Sequence, residues 1–199
     1  MFQNCTNCET IVLPNDMLFN KPNLSSKPSK IFSECKSLKS IILPNNIDLH
    51  TNSTYVASGC TSLEEVWLPT SLTILPKYFF SECASLKTIV VPDNVVTIDQ
   101  YAFYRCYAIR TIVLGKKVQT INNFAFHEDY YCKELIIKCE QVPDLLASTT
   151  LTPLMSYTCI PWVNDDIIEN LTVATYWSTY ADRMKPLSWY PSLTNPNAE

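Results

Sequence analysis

Nine cysteines, two histidines and the run His127-Glu128-Asp129 are the residues of this 199-residue chain best suited to chemistry. Cysteine and histidine together could hold zinc, and a thiolate beside an imidazole could act as a nucleophile. Cys5-x-x-Cys8 has the spacing of half a zinc site, but no second ligand pair follows, and a structural zinc needs four ligands. Neither His50 nor His127 stands in a recognisable catalytic phrase, and His127-Glu128-Asp129 reads as a charged, solvated turn. Gly59 and Gly115 are the only glycines, too few for a phosphate-cradling loop. Asp93, Asp99 and Glu82 lack the spacing of a calcium loop. Asn23-Leu24-Ser25, Asn52-Ser53-Thr54 and Asn170-Leu171-Thr172 match the glycosylation sequon, a pattern too common to locate the protein. The expectation is a chain with no catalytic residue, no cofactor and no metal.

Stepping from single residues to their spacing explains most of the cysteines. Cys83-Ala84-Ser85-Leu86-Lys87-Thr88-Ile89-Val90-Val91-Pro92 returns 23 residues later from Cys106. Aligned on the residue that closes the apolar core, Pro14, Pro44, Pro69, Pro92 and Gly115 follow one another at spacings of 30, 25, 23 and 23, and a sixth copy ends at Lys138. A fixed period of this length means stacked units, each burying its apolar face against its neighbours. Cys5, Cys35, Cys60, Cys83 and Cys106 share one slot, and Cys8 and Cys132 replace the first Leu of their units. These seven read as small buried apolar side chains. The two outside the ladder, Cys139 and Cys159, are the pair a structural disulfide would use.

Within each unit, Ser40 to Leu43, Glu65 to Leu68 and Thr88 to Val91 alternate outward and inward and are rich in β-branched residues, which predicts a short strand. Copies of one unit run the same way, so the strands form a parallel sheet along one face. Proline or glycine ends each strand. The return arm carries Leu72/Leu75, Val95/Ile98 and Val118/Ile121, then Phe32, Phe80, Phe103 and Phe126, and the opposite face is expected to hold turns and short helices. Lys21-Pro22-Asn23 and Ser25-Ser26-Lys27-Pro28 belong to a surface loop inserted in the first arm. Ala57 replaces the phenylalanine of the second arm, so that unit is expected to be the least well packed.

The pattern Leu86-x-x-Ile89-x-Val91-Pro92-x-x-Val95-x-x-Ile98-x-x-x-Ala102-Phe103-x-x-Cys106 resembles the BspA-like leucine-rich repeat family. The resemblance covers about residues 2 to 138. It implies an α/β leucine-rich repeat solenoid over 1–138, and surface or secreted bacterial proteins, with some protozoan members, that bind host or microbial proteins and contribute to adhesion. Ile160-Pro161-Trp162-Val163 and Ala174 to Leu187 resemble the C-terminal cap of bacterial members, so 139–187 is expected to be a helical cap. Asp165 to Met184 is predicted as its long helix, with Pro186 just beyond, and 188–199 as an irregular tail.

Strand alternation places Val12, Ile42, Trp67, Val90, Val113 and Ile136 in one outward row, beside a second row that includes Glu65 and Glu134. An apolar row with a tryptophan near its middle suits a partner-binding groove. The competing explanation is that β-branched residues stand there for strand propensity alone. A protein partner on the sheet face is the first expectation. A second is an assembly contact at the N-terminal edge, because Phe2 and Cys5 open the chain in the middle of a unit and no cap precedes the first strand.

A net charge of −4 without a basic stripe argues against nucleic acid. The longest apolar runs are four or five residues, far short of the roughly 20 of a membrane span. Met1-Phe2-Gln3-Asn4-Cys5 shows no secretory leader. Two localisations follow: the cell surface or outside it, if the chain is part of a longer one, or a virion, where it would be a structural or host-recognition component.

Overall fold

The computed structural model describes residues 2–13, 29–45, 47, 49, 53–151, 154 and 158–191. The expected loop at 21–28, His50 and the sequons at Asn23 and Asn52 involve positions outside these. The described chain winds as a parallel β-solenoid. Its strands in chain order are β1 (Thr10–Val12), β2 (Ser40–Ile42), β3 (Glu65–Trp67), β4 (Ile74–Leu75), β5 (Thr88–Val90), β6 (Thr97–Ile98), β7 (Thr111–Leu114), β8 (Thr120–Ile121), β9 (Glu134–Ile137), β10 (Asp144–Leu145), β11 (Ile160–Val163) and β12 (Lys185–Pro186). The principal face holds β1-β2-β3 and β5-β7-β9-β11-β12, all parallel, with the hydrogen-bonded ladder interrupted between β3 and β5. The Lys87–Glu64 ion pair, 3.0 Å, crosses that interruption.

The face expected to carry turns and short helices carries turns, with short strands in place of the helices. The two-residue strands β4, β6, β8 and β10 form a second parallel sheet, in the order β10-β8-β6-β4. After β3, β5, β7 and β9 the return arm of the coil passes through a short strand and then turns. Ile74 and Leu75 align with Thr97 and Ile98 of the next coil and bond to them.

At the corner beyond this sheet the backbone enters the left-handed region at non-glycine residues, in pairs four apart: Lys30 and Glu34, Tyr78 and Glu82, Tyr101 and Arg105, Phe124 and Glu128. Each such residue costs roughly 1–2 kcal/mol in an L-peptide. Hydrogen bonds to the next coil offset the cost, as Tyr78 N–H donates to Gln100 O and Glu82 N–H to Tyr104 O. Tyr55, Tyr78, Tyr101 and Phe124 stack along this corner with centroids 4.5, 4.9 and 5.2 Å apart and planes within 11°.

Inside, one continuous core runs from Ile11 to Trp177. Phe80, Phe103 and Phe126 stack through it at 5.8 and 5.2 Å. The unit containing Ala57 is not poorly packed: Val56, Ala57 and Cys60 are buried, and Phe79, in the slot that later coils give to Ala102 and Ala125, supplies the missing bulk. Val66 on β3 and Leu68 just after it are half-buried inward positions, next to the break in the ladder. Gly115 stands where other coils carry proline because a Cβ there would meet the backbone of Pro92.

Residues 139–187, expected as a helical cap, carry little helix among the described residues. The coil continues through β10 and β11. The helix expected over Asp165 to Met184 is limited to α1 (Ile168–Val173) and a 3-10 turn (Ser178–Arg183). Ala174 is extended and Tyr176 left-handed, which breaks the helix between them. Leu171 and Trp177 still close the core, and Trp177 Nε1 donates to Pro143 O at 2.7 Å.

Candidate partner-binding face

The outward positions of the principal sheet are set by strand register. Val12, Ile42 and Trp67 are aligned across β1, β2 and β3, and Val90, Val113, Ile136 and Trp162 across β5, β7, β9 and β11. Beside them run Thr10, Ser40 and Glu65, then Thr88, Thr111, Glu134 and Ile160. One position further out, Lys39 pairs with Glu9 at 2.9 Å and Lys87 with Glu64 at 3.0 Å, while Ser40 and Thr10 hydroxyls bond at 3.2 Å.

The sequence places all six apolar residues of the row in the open, and the structure divides them. Val12 (63% exposed), Ile42 (38%) and Val90 (48%) face solvent, with Trp67 half-buried among them. Val113 and Ile136 are buried, at 5% and 0%, so neither is available to a partner. They form a small second core with Trp162, covered by Ile160, Leu187 and Tyr190. The Tyr190 ring meets Trp162 edge-on at 4.9 Å and 75°. Its hydroxyl donates to Glu134 Oε2 at 2.9 Å, so Glu134 is engaged too. Burial, with this carboxylate beside it, raises the phenol's pKa. Asp165 anchors the covering segment: it accepts the Ser188 N–H at 3.1 Å, and hydrogen bonds from Ser188 hold its carboxyl below the usual range. Lys185 lies over the Trp162 ring, 5.3 Å from its centroid.

Sequence reasoning missed Trp162, Leu187 and Tyr190. Ile160-Pro161-Trp162-Val163 alternates as the earlier strands do and was the available signal for a further rung.

Six copies of the region described as BspA type leucine rich repeat match the chain over residues 1–136. The chain belongs to the BspA-type leucine-rich repeat family. Leucine-rich repeat proteins bind proteins, and their solenoid is typically a non-catalytic scaffold. Two solved structures share the fold of this BspA-type chain. A leucine-rich repeat protein of T. pallidum is 22% identical, covering 77% of this chain and 68% of that one, with a TM-score of 0.59. The pneumococcal vaccine antigen PcpA is 17% identical, covering 91% and 40%, with a TM-score of 0.64. A leucine-rich cell surface protein of Faecalibacterium prausnitzii is 25% identical, with a TM-score of 0.49; the alignment covers 52% of this chain and only 27% of that longer one. No functionally curated protein matches in sequence.

Seven of the nine cysteines and His127-Glu128-Asp129 sit within the BspA-type repeats, and Cys139 and Cys159 follow them. All nine cysteines are free thiols. In the shared slot the thiols after Cys5 donate to a carbonyl of the preceding coil, Cys35 to Phe2 O at 2.8 Å, Cys60 to Phe32 O at 3.1 Å, Cys83 to Ala57 O at 3.2 Å and Cys106 to Phe80 O at 3.1 Å. Burial pushes the Cys60 thiol up to about 12 and Cys83 and Cys106 well above their usual value, the reverse of an activated nucleophile. Cys139 and Cys159 are not neighbours in the sense expected: Cys139 Sγ faces Gly115 O, and Cys159 Sγ lies 3.8 Å from Cys132 Sγ, because β11 stacks on β9. His127-Glu128-Asp129 is not a solvated turn throughout. Arg105 pairs with Glu128 at 3.0 Å and lowers its pKa, but Asp129 is buried in the slot 23 residues after Cys106, accepting the Cys106 N–H at 2.8 Å. Burial raises its pKa well above the usual carboxyl value. Among the described residues, no three His, Cys, Asp or Glu side chains gather as metal ligands, and no helix is long and apolar enough to cross a membrane.

Proposed function

We propose that this chain is a non-catalytic recognition module of a bacterial cell-surface or secreted protein, and that it docks a protein partner on the open half of its principal sheet. The observation that carries this reading is the contiguous apolar row Val12, Ile42, Trp67 and Val90, left uncovered where its continuation is buried. Trp67 lies at the centre of that surface, the position and residue type from which most binding energy comes. The surface reading rests on what the family implies, and it is preferred to the virion reading on that ground. Val113, Ile136 and Glu134 fall outside the proposed docking surface, and Glu65 stays within it.

The test is selection of binders from a displayed random-peptide library on the immobilised chain, followed by calorimetry against a Trp67→Ser/Val90→Ser variant whose unfolding midpoint is measured in parallel. Loss of a central anchor should weaken the selected binders about 30-fold or more with little change in the midpoint. Selected binders that hold the variant as tightly as the parent would sink the proposal.

A further inference from the structure

On the covered half of the sheet a segment of the chain itself is seated on the outward row. On the covered half the chain lays Leu187 and Tyr190 over Val113, Ile136 and Trp162. One tyrosine satisfies two demands there: its ring packs against the Trp162 indole, and its hydroxyl reaches the carboxylate of the neighbouring row, Glu134. The open half carries the same two groups. Glu65 and Trp67 lie two residues apart on β3, pointing to the same side of the sheet, with Ile42 and Val90 on the adjoining rungs. The two surfaces are continuous, because Val90 on β5 is in register with Val113 on β7.

Glu65 also differs from its acidic neighbours. Glu9 and Glu64 are held by Lys39 and Lys87, whereas Glu65 is exposed and its carboxylate holds no hydrogen bond or ion pair among the described residues, its backbone N–H alone donating, to Lys39 O. An ionised carboxylate accepts and cannot donate. What completes this surface is therefore a group that is apolar along its body and a donor at its tip, which is the chemistry of tyrosine.

We propose that the open half recognises a tyrosine-bearing apolar segment of a partner protein, an aliphatic residue followed three positions later by tyrosine, seated as Leu187 and Tyr190 seat on the covered half. The ring lies against Trp67 and Val90, and the hydroxyl donates to Glu65. This rests on the docking function proposed above and specifies its partner.

The probe is a synthetic peptide with the sequence of residues 185–191, titrated into the full chain, together with a version carrying phenylalanine in place of its tyrosine. The peptide should bind the parent, and Trp67→Ser should abolish that binding. Phenylalanine in the peptide and Glu65→Gln in the chain should each weaken binding about tenfold, the loss expected for a hydrogen bond to a charged acceptor. Combining the two should add little, since both remove one bond. No binding up to about 1 mM, an affinity near the floor of specific recognition, would overturn the proposal. So would equal binding of the tyrosine and phenylalanine peptides, tighter binding of a peptide with arginine at that position, or binding indifferent to Trp67→Ser, which would place the peptide on the covered half. A concentration-dependent dimer of the chain alone, dispersed by Trp67→Ser, would make a second copy the occupant and overturn the partner assignment. Library-selected binders that need Trp67 but lack tyrosine would refute this inference and leave the docking function standing, whereas binders indifferent to Trp67 would refute both.

Discussion

Val90 and Val113 are the same residue in the same outward row on adjacent strands, yet one is half in solvent and the other is buried. The two strands share the sequence Thr-Ile-Val, although β5 borders the interruption of the ladder and β7 lies between two bonded neighbours. Val113 clusters with Ile136 and Trp162 beneath Leu187 and Tyr190, which return to the sheet after the coil has closed on Trp177. Outward strand chemistry therefore sets what a sheet face could bury, and a second segment decides whether it does. The uncovered half offers the same apolar chemistry as the covered half, without its cover.

The sharpest way to break this comparison is to truncate one residue of the row on each side. Ile136→Ala should destabilise the fold by about 2–4 kcal/mol, as expected for emptying a buried aliphatic site. Val90→Ala should stay within roughly 0.5 kcal/mol, as exposed substitutions do. Urea unfolding of the two variants measures both, and equal losses would mean that the two halves are not differently covered.

The same division reaches the opposite corner of the coil. Beneath the open half the shared slot holds Cys35, Cys60 and Cys83, followed by Cys106; one coil later it holds Asp129. A carboxyl whose pKa is higher folded than unfolded contributes most stability below its unfolded value, and that contribution is lost as the pH rises through the folded value. Burial raises Asp129 in this sense. Asp129→Cys, which restores the ladder, should gain on the order of 1–3 kcal/mol at neutral pH, the cost of the buried Oδ2, which has no hydrogen-bond partner while Oδ1 accepts the Cys106 N–H. The gain should shrink as the pH falls towards the unfolded carboxyl value near 4. Thermal unfolding at a series of pH values reads the slope, and a gain independent of pH would assign it to packing.

Tyr190→Phe keeps the ring on Trp162 and removes only the bond to Glu134. It should cost about 1 kcal/mol by denaturant unfolding, with little change in Trp162 fluorescence, whereas a large spectral shift would mean that the hydroxyl also positions the ring. The smallest effect belongs to the ion pairs bordering the open half. Lys87→Ala removes the exposed partner of Glu64 and should change stability by about 0–1 kcal/mol. A larger loss in the same assay would show that the pair bridging the interrupted ladder holds β3 to β5.

Much of this was legible in the sequence because one unit repeats. Register made the strands, the inward residues and the cysteine slot visible, since any misreading would have had to recur in every coil. The elements that were missed are those the repeat does not specify. Two-residue strands such as Thr97–Ile98 carry too few residues to show a period, and only stacking on Thr120–Ile121 makes them strands. The break after α1 has no proline or glycine to announce it; Thr172, Val173 and Thr175 are weak helix formers, and Tyr176 turns left-handed. The covering segment was illegible for a different reason. Leu187-Ser188-Trp189-Tyr190 has no periodicity, and its place follows from where β11 and β12 deliver the chain.

The corner stack of Tyr55, Tyr78, Tyr101 and Phe124 gives the molecule an optical axis. Three parallel phenols and a phenyl ring at spacings near 5 Å, each on a different coil, are coupled chromophores whose near-ultraviolet circular dichroism depends on how far one coil is rotated against the next. The solenoid thus carries a built-in spectroscopic gauge of its own winding, at the edge opposite the face where a partner would bind.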